Sequence, residues 1–471
     1  MTHPASRLTD PDALVRALTP VLGDRITRAE SVREQHGRGE GRRESYPPDI
    51  VVYPTSTEEV SRIVRAAAEV GSPVIPYGAG SSLEGHVSAL HGGVCIDMTH
   101  MNRVLRTSVM DMDATVEAGV TRTQLAGELA GSGATFFIDP GADATIGGMI
   151  ATAASGTTSV RYGTMRENVL GLTVVMADGR IMHTGGRAKK SSAGYDLTKL
   201  LIGSEGTLGV ITEAIVRLHA MPDAIAAAVC SFESVEQAVD TVVALLQSGV
   251  PLARIELLDA LTVAGLNDFL HMGLPLAPLI FLEIHAFSAA ALAEQLPLVR
   301  DVVADGGGAV FATATTETDR HRLWEGRHRV YYAAVAMRPG ADVLTTDACV
   351  PISALAECIR ETRADLDAHG IIAPLVGHVG DGNFHLLLLT KLSDEAERAR
   401  AYGVVSRLAD RALRLGGTCT GEHGVGMGKI EALARQHGDA LEAMGAIKMA
   451  LDPRNLMNPG KILGRLGRVT A

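Results

Sequence analysis

Aromatic residues make up only 4% of the 471-residue chain, and its formal net charge is −11. Both features are a poor footprint for a nucleic-acid or anionic-membrane binder, which needs a basic face. Cysteine is scarce as well. Cys95, Cys230, Cys349, Cys358 and Cys419 are odd in number and show no CxxC spacing, so neither a disulfide framework nor a zinc ribbon is indicated and a reducing compartment is expected. No uncharged apolar window is long enough to span a bilayer. The first residues, "MTHPASRLTDPDALVRAL", have no apolar h-region, and Arg42-Arg43 leads into "ESYPPD" rather than the hydrophobic stretch of a twin-arginine signal. The expectation is a cytoplasmic protein, or one peripheral to a membrane, that handles small molecules.

What is present is length and glycine. A chain of this size divides into roughly two to four domains and can bury large pockets. Residues 50–77 predict a βαβ unit: "IVVY" as strand, "STEEVSRIVRAAAEVG" as helix and "PVIPY" as strand. Ser56 and Glu59 are spaced as a capping box, Val60, Ile63, Val64 and Ala67 follow the i, i+3, i+4, i+7 stripe, and Gly71 closes the helix. Residues 113–219 predict alternating short strands and turns, so residues 1–220 are expected to form an α+β nucleotide-binding domain. From about residue 221 a second texture begins. "AAAVCSF", "LARIELLD", "PLIFLEIHAF" and "AVFATAT" predict an antiparallel sheet, and the helical stretches between them predict a helical layer on one face. The final helix is expected over "SDEAERARAYGVVSRLADRALRLGG", and no fixed-period repeat is visible.

Four segments carry chemistry. In "YGAGSSLEG", Gly78 and Gly80 give GxG, but Leu83 stands where the dinucleotide fingerprint needs its third glycine, and no helix opens there. The loop either presents backbone N–H groups and the Ser81 and Ser82 hydroxyls to a pyrophosphate or is an ordinary turn. The stretch "DPGADATIGGMIATAASG" is glycine-dense at a cost in backbone entropy, which points to close main-chain approach to a large ligand. "GHVGDGNFHLLLL" sets His378 and His385 seven positions apart, on opposite faces of any straight strand. Asp381, Gly382 and Asn383 supply turn chemistry, so a reversal brings the two imidazoles toward one point. By itself this is a metal-site geometry or a pair of surface histidines flanking a turn. In "GEHGVGMGKI", His423 replaces the first Walker glycine and Ile430 follows Lys429, which excludes a P-loop.

Taken in order, "PYGAGSSLEG", "DPGADATIGGMIATAASG", "GSEGTLGVIT", "HVGDGNFH", "GEHG" and "LDPRNLMNPGKI" resemble the FAD-binding PCMH-type flavoproteins of the vanillyl-alcohol-oxidase fold. Within that fold they resemble the branch of D-lactate dehydrogenase, glycolate oxidase and D-2-hydroxyglutarate dehydrogenase. The resemblance runs from about Pro47 to Ile462. It implies an α+β chain with a two-part PCMH-type FAD-binding domain over residues 1–220, an antiparallel-sheet cap or substrate domain over 221–425, and a C-terminal segment, 426–471, returning to the FAD domain. Pro76, Tyr77, Gly78, Ala79, Gly80, Ser81, Ser82 and Gly85 match the pyrophosphate loop. Pro140, Gly141, Ala142, Thr145, Gly147, Gly148, Ser155 and Gly156 match the segment along the flavin and ribityl chain. Glu205, Gly209 and Ile211 match the adenine half, and Asn458 the isoalloxazine. Covalent relatives carry histidine where this chain has Ser81, which implies noncovalent FAD.

The same resemblance implies a divalent metal, zinc or manganese, held by His378, His385 and Glu422, with His423 as catalytic base and Arg327 as carboxylate binder, Arg338 standing in reserve. It implies oxidation of a 2-hydroxy acid, hydride passing to flavin N5 and a proton to His423. A base alone supplies a factor of about 10² to 10⁴, whereas zinc lowers the pKa of bound water from about 16 to about 7, so a metal partner is chemically sensible. Thr345 stands where hydroxyglutarate enzymes place a lysine, which favours a short side chain: D-lactate first, then glycolate and longer apolar D-2-hydroxy acids, with D-2-hydroxyglutarate dehydrogenase kept as an alternative within the branch. The expected electron acceptor is a quinone, a cytochrome or an electron-transfer flavoprotein, and a homodimer is an admissible assembly. Two competing readings are an alkyl-transferase without net oxidation on the same fold, and a metallohydrolase that leaves the glycine-rich first part without a role.

Overall fold

The computed structural model describes residues 10–41 and 44–464. The first residues and Arg42-Arg43, read above for targeting signals, lie outside them. The chain divides into two compact units. The first takes Met1–Ser155, Thr164–Met221 and Glu422–Ala471; the second takes Gly156–Gly163 and Pro222–Gly421. Among the described residues no helix is long and apolar enough to cross a membrane.

In the first unit the expected helix spans Thr57–Val70, and its stripe of Val60, Ile63, Val64 and Ala67 is buried. Ser56 caps it by accepting from the Glu59 N–H at 3.2 Å. Only that half of the capping box forms. The Glu59 carboxylate turns instead to the Arg25 guanidinium, with two contacts of 2.6 Å, and accepts from the Thr55 N–H at 2.8 Å rather than from that of Ser56. The flanking strands Ile50–Val52 and Val74–Tyr77 are parallel, as a βαβ unit requires, but Val94–Asp97 lies between them and pairs with both. A second, antiparallel sheet runs in the order Val104–Ser108, Asp113–Glu117, Val210–Arg217, Val169–Val175, Ile181–Gly185. One apolar cluster unites that sheet, the helix and the first sheet through Val52, Val64, Ile96, Val116, Val174 and Val216. Where the sequence predicted only short strands and turns, Ile146–Thr152 is a helix capped by Thr145, which accepts from Gly148 N–H. Two glycines inside it depress helix propensity, which hid it. The C-terminal segment edges this unit: Val74 N–H donates to Leu456 O and Asn458 N–H to Val74 O, each at 2.8 Å.

The second unit is an antiparallel sheet in the order Ala309–Ala314, Ala224–Ser231, Leu279–Ala286, Leu252–Leu258, Leu375–Gly377, Asn383–Thr390, Asp342–Thr345. Alternate residues of one strand enter different cores, since side chains along a strand point to opposite faces. Ala226, Ala228 and Cys230 pack with Val239, Val242, Leu355, Ile359, Val404 and Leu408, which is the expected helical layer. Ala227 and Val229 pack with Leu266, Trp324, Val330 and Ala334, so a second, smaller group of helices covers the opposite face. The stretch around Trp324 is two helices, Glu317–His328 and Val330–Met337. Glu395–Arg414 is not the final helix: Ile430–His437 and Ala440–Leu451 follow it. Strands Leu375–Gly377 and Asn383–Thr390 pair with Val376 opposite His385, and Gly382 takes φ +74° in the reversal between them, as the turn residues predicted.

Candidate active site

A cleft of about 1010 Å³, counting its open mouth, lies in the first unit. Pro76, Gly78, Ala79, Gly80, Ser81 and Ser82 line one wall; Pro140, Ala142, Thr145, Gly148 and Ser155 line another; Glu205, Glu422, His423 and Asn458 complete it. A narrower cavity of about 410 Å³ is lined by Tyr77, Gly147, Gly209 and Ile211 together with Pro76, Gly78, Thr145 and Gly148. Gly85 and Gly141 line neither, and Gly156 falls in the second unit. The absence of side chains in this wall is sterically required. A Cβ on Gly78 would meet Thr145 Oγ1 at 2.2 Å, and that oxygen caps the helix Ile146–Thr152. We therefore expect Gly78→Ala to cost about 1–3 kcal/mol by overpacking and to weaken flavin binding about tenfold or more, checked by titrating apoprotein with FAD and following flavin fluorescence.

Polar atoms in this cleft lack protein partners. Ser82 Oγ, Asn458 Oδ1 and Nδ1 of His86, which also lines the cleft, are buried without a hydrogen bond among the described residues. His86 Nε2 is 3.4 Å from Glu205 Oε1, within ion-pair distance but not aligned as a hydrogen bond. Buried polar atoms normally find partners, so these point to a polar ligand. With the small-residue wall they fit a dinucleotide cofactor. His86 was not singled out from the sequence, although it directly follows the glycine loop as "LEGH".

Glu205 carries a further load. Its carboxylate accepts from the N–H groups of Val425 at 2.7 Å and Gly426 at 2.8 Å, so it anchors the turn that presents Glu422 and His423 to the cleft. Burial raises the Glu205 carboxyl, but the facing His86 and those two N–H donors outweigh it and hold the group below the usual range. Ser155 Oγ donates to Glu422 at 2.7 Å. Asn458 Nδ2 donates to the carbonyls of His86 and Glu205, which ties the C-terminal segment to the same corner. Burial pushes the nearby Lys461 ammonium down to about 7; its Nζ donates to Ser88 O.

In the second unit the two histidines of the reversal stand with ring centroids 5.3 Å apart, edge to face. Both are oriented from behind. His378 Nδ1 is 2.5 Å from Glu256 Oε1, and His385 Nδ1 is 3.0 Å from the Thr346 carbonyl. A neutral imidazole that donates from Nδ1 carries its lone pair on Nε2, which is the tautomer a metal requires. The donor chemistry thus fits a divalent cation. Arg327 donates from Nε to the other Glu256 oxygen at 2.8 Å. Burial raises the Glu256 carboxyl, yet His378 and Arg327 together hold it below its ordinary value. Arg338 is engaged elsewhere, paired with Glu397 through both terminal nitrogens. Tyr331, one turn after Arg327, is half exposed and stacks edge-on against Tyr332. Asp347, also unforeseen, accepts from Asn383 Nδ2, Thr420 Oγ1 and Gly421 N–H and holds the turn before Glu422.

Comparison with known proteins bears on both units. Residues 48–185 match the FAD binding domain model, and residues 221–462 match the model of the FAD linked oxidases, C-terminal domain. The chain is 49% identical over 457 residues to a probable mitochondrial D-lactate dehydrogenase of Danio rerio, covering 96% of this chain and 92% of that protein. It is 42% identical over 456 residues to a mitochondrial D-lactate dehydrogenase [cytochrome] of Arabidopsis thaliana, covering 96% and 80%. Among solved structures it resembles an alkyldihydroxyacetonephosphate synthase with TM-score 0.76 at 21% identity, covering 98% of this chain and 87% of that one, which speaks to the fold alone.

Proposed function

The chain belongs to the FAD-linked oxidase family and is an FAD-dependent 2-hydroxy-acid dehydrogenase, and from that premise we propose that it oxidises D-lactate to pyruvate with the help of a divalent metal, zinc or manganese. The observation that carries the metal reading is the shared orientation of His378 and His385, each donating from Nδ1 to a fixed acceptor. The names of the relatives support the substrate. Thr345 supports a short one, since an uncharged hydroxyl offers no counter-ion to a second carboxylate.

When bound, FAD supplies the hydride acceptor. His378, His385 and Glu422 would hold a divalent cation, which would supply Lewis acidity toward the substrate hydroxyl. The remaining work belongs to the side chains. Arg327 binds the carboxylate through the guanidinium edge not committed to Glu256. His423 accepts the hydroxyl proton as C2 is oxidised, and Glu205 holds the turn that carries it. The small residues from Gly78 to Ser82 take the pyrophosphate, and Ser81 forms no covalent link. The acceptor we favour is a cytochrome, in line with the name of the Arabidopsis relative. We place the enzyme in the cytoplasm or at a membrane face, consistent with five cysteines that form no disulfide among the described residues.

The test is anaerobic mixing of purified protein with a panel of 2-hydroxy acids. We expect a yellow protein bleached by D-lactate and not by L-lactate, with elemental analysis of the same sample giving about one divalent metal per chain. Faster bleaching by glycolate or D-2-hydroxyglutarate moves the assignment within the branch, and a colourless sample that hydrolyses esters overturns it.

A further inference from the structure

We propose that Glu256 is a positioning residue that ties the imidazole of His378 to the guanidinium of Arg327, so that one buried carboxylate sets the affinities for both the metal and the substrate carboxylate. The inference rests on the roles proposed above for those two residues. Glu256 lies in the strand Leu252–Leu258, is inaccessible to solvent, and has only apolar neighbours on either side in sequence. A carboxylate in such a place is costly unless every oxygen has a donor. Each oxygen has one: Oε1 faces His378 Nδ1 at 2.5 Å, and Oε2 faces Arg327 Nε at 2.8 Å.

The two contacts do different things. The Oε1 contact selects the Nδ1–H tautomer of His378, locks the ring plane and makes Nε2 a better donor to a cation. The Oε2 contact commits Nε of Arg327, so the edge left to a planar carboxylate is the pair of terminal nitrogens, in the fork geometry such an anion prefers. His378 follows the strand Leu375–Gly377, and Arg327 lies in the helix Glu317–His328. The three residues share no sequence spacing; strand pairing of Leu257 with Gly377 brings His378 to Glu256, and the helix packed on the sheet through Trp324 brings Arg327. Because both donors draw on one anion, the link has a sign. Removing Arg327 leaves the whole carboxylate to His378 and tightens the cation, whereas weakening Glu256 loosens cation and substrate together.

Glu256→Gln tests this, because an amide offers one acceptor oxygen where the carboxylate offers two, and its NH₂ opposes one of the two donors. Zn²⁺ affinity of metal-stripped holoflavoprotein is measured by competition with a chelating dye, and KM and kcat for D-lactate by steady-state turnover. We expect Glu256→Gln to weaken Zn²⁺ about 10- to 100-fold and to raise KM about tenfold or more, with the larger part of the loss in KM. Arg327→Met should raise KM while binding Zn²⁺ as tightly as the unaltered protein or several-fold tighter. Glu256→Asp should restore one of the two affinities only in part, and it carries the same comparison if the glutamine variant does not fold, as judged by its FAD content and melting temperature. Unaltered Zn²⁺ affinity in a folded Glu256 variant, or weaker Zn²⁺ binding in Arg327→Met, overturns the proposal while leaving the metal site standing. Failure of the unaltered protein to bind Zn²⁺ overturns the metal reading itself.

Discussion

His423→Ala is expected to give a yellow protein with its full complement of FAD that D-lactate bleaches about 10²- to 10⁴-fold more slowly. The imidazole lines the cleft of the first unit, but the polar atoms that fit a cofactor there, Ser82 Oγ, the His86 ring and Asn458 Oδ1, belong to other segments. Truncating it removes a proton acceptor without removing a wall. The turn that carries it is held by backbone N–H groups of Val425 and Gly426 on Glu205, which the substitution does not touch, so Glu422 keeps its place. Rapid mixing with D-lactate under anaerobic conditions, with flavin absorbance as the readout, gives the rate directly. A variant that bleaches at the original rate removes His423 from the chemistry. If the variant has lost its flavin, His423 supports the cofactor instead.

The second large effect is expected at the metal. His378→Ala and His385→Ala should each lower bound metal to a small fraction of one equivalent and abolish bleaching, and dialysis of the unaltered protein against a chelator should do the same until Zn²⁺ or Mn²⁺ is returned. The two variants should differ in stability. His385 donates to the Thr346 carbonyl and stands 3.9 Å from the buried Asp347 carboxylate, beyond hydrogen-bond reach, so its loss costs about 1–3 kcal/mol. His378 faces the buried Glu256 carboxylate, and removing one partner of a buried ion pair costs about 3–5 kcal/mol, so His378→Ala should melt at the lower temperature. Elemental analysis and calorimetry on the same preparations check both parts. Full metal content in either variant shows that the ligands are misassigned.

Sequence reasoning reached those parts of the fold that local rules specify. The stripe and cap of Thr57–Val70 and the reversal at Gly382 follow from periodicity and turn chemistry within a few residues. The helix Ile146–Thr152 did not, because Gly147 and Gly148 mask a helix whose reason for existing is tertiary: Gly147 packs its bare Cα against Ala118, where a Cβ would stand 2.6 Å from that side chain. The interposition of Val94–Asp97 between two strands of one βαβ unit is likewise a long-range fact with no local signature. The metal role of the two candidate-site histidines is implied by the resemblance alone, but their meeting at a reversal announces itself by spacing and turn chemistry. Glu256 does not, since within "LARIELLD" it reads as one charge on a strand, and only the sheet discloses that both its oxygens are taken. Glu205 was placed with the cofactor by resemblance. Its two bonds to the turn after His423 depend on a sequence separation of over two hundred residues, which no pattern along the chain encodes.

Neither unit is one continuous run of chain, and this bears on how the protein is made. The strand Val74–Tyr77 is flanked by Leu456 and Asn458, so a nascent chain leaving the ribosome exposes that edge while nearly four hundred further residues are translated. The second unit is almost complete in one stretch and is able to mature first, while the earlier-synthesised unit waits with Val74–Tyr77 paired to Val94–Asp97 on one side and open on the other, an edge prone to off-pathway association. Slow translation should therefore penalise soluble yield through the N-terminal half, even for substitutions that leave the finished enzyme undisturbed.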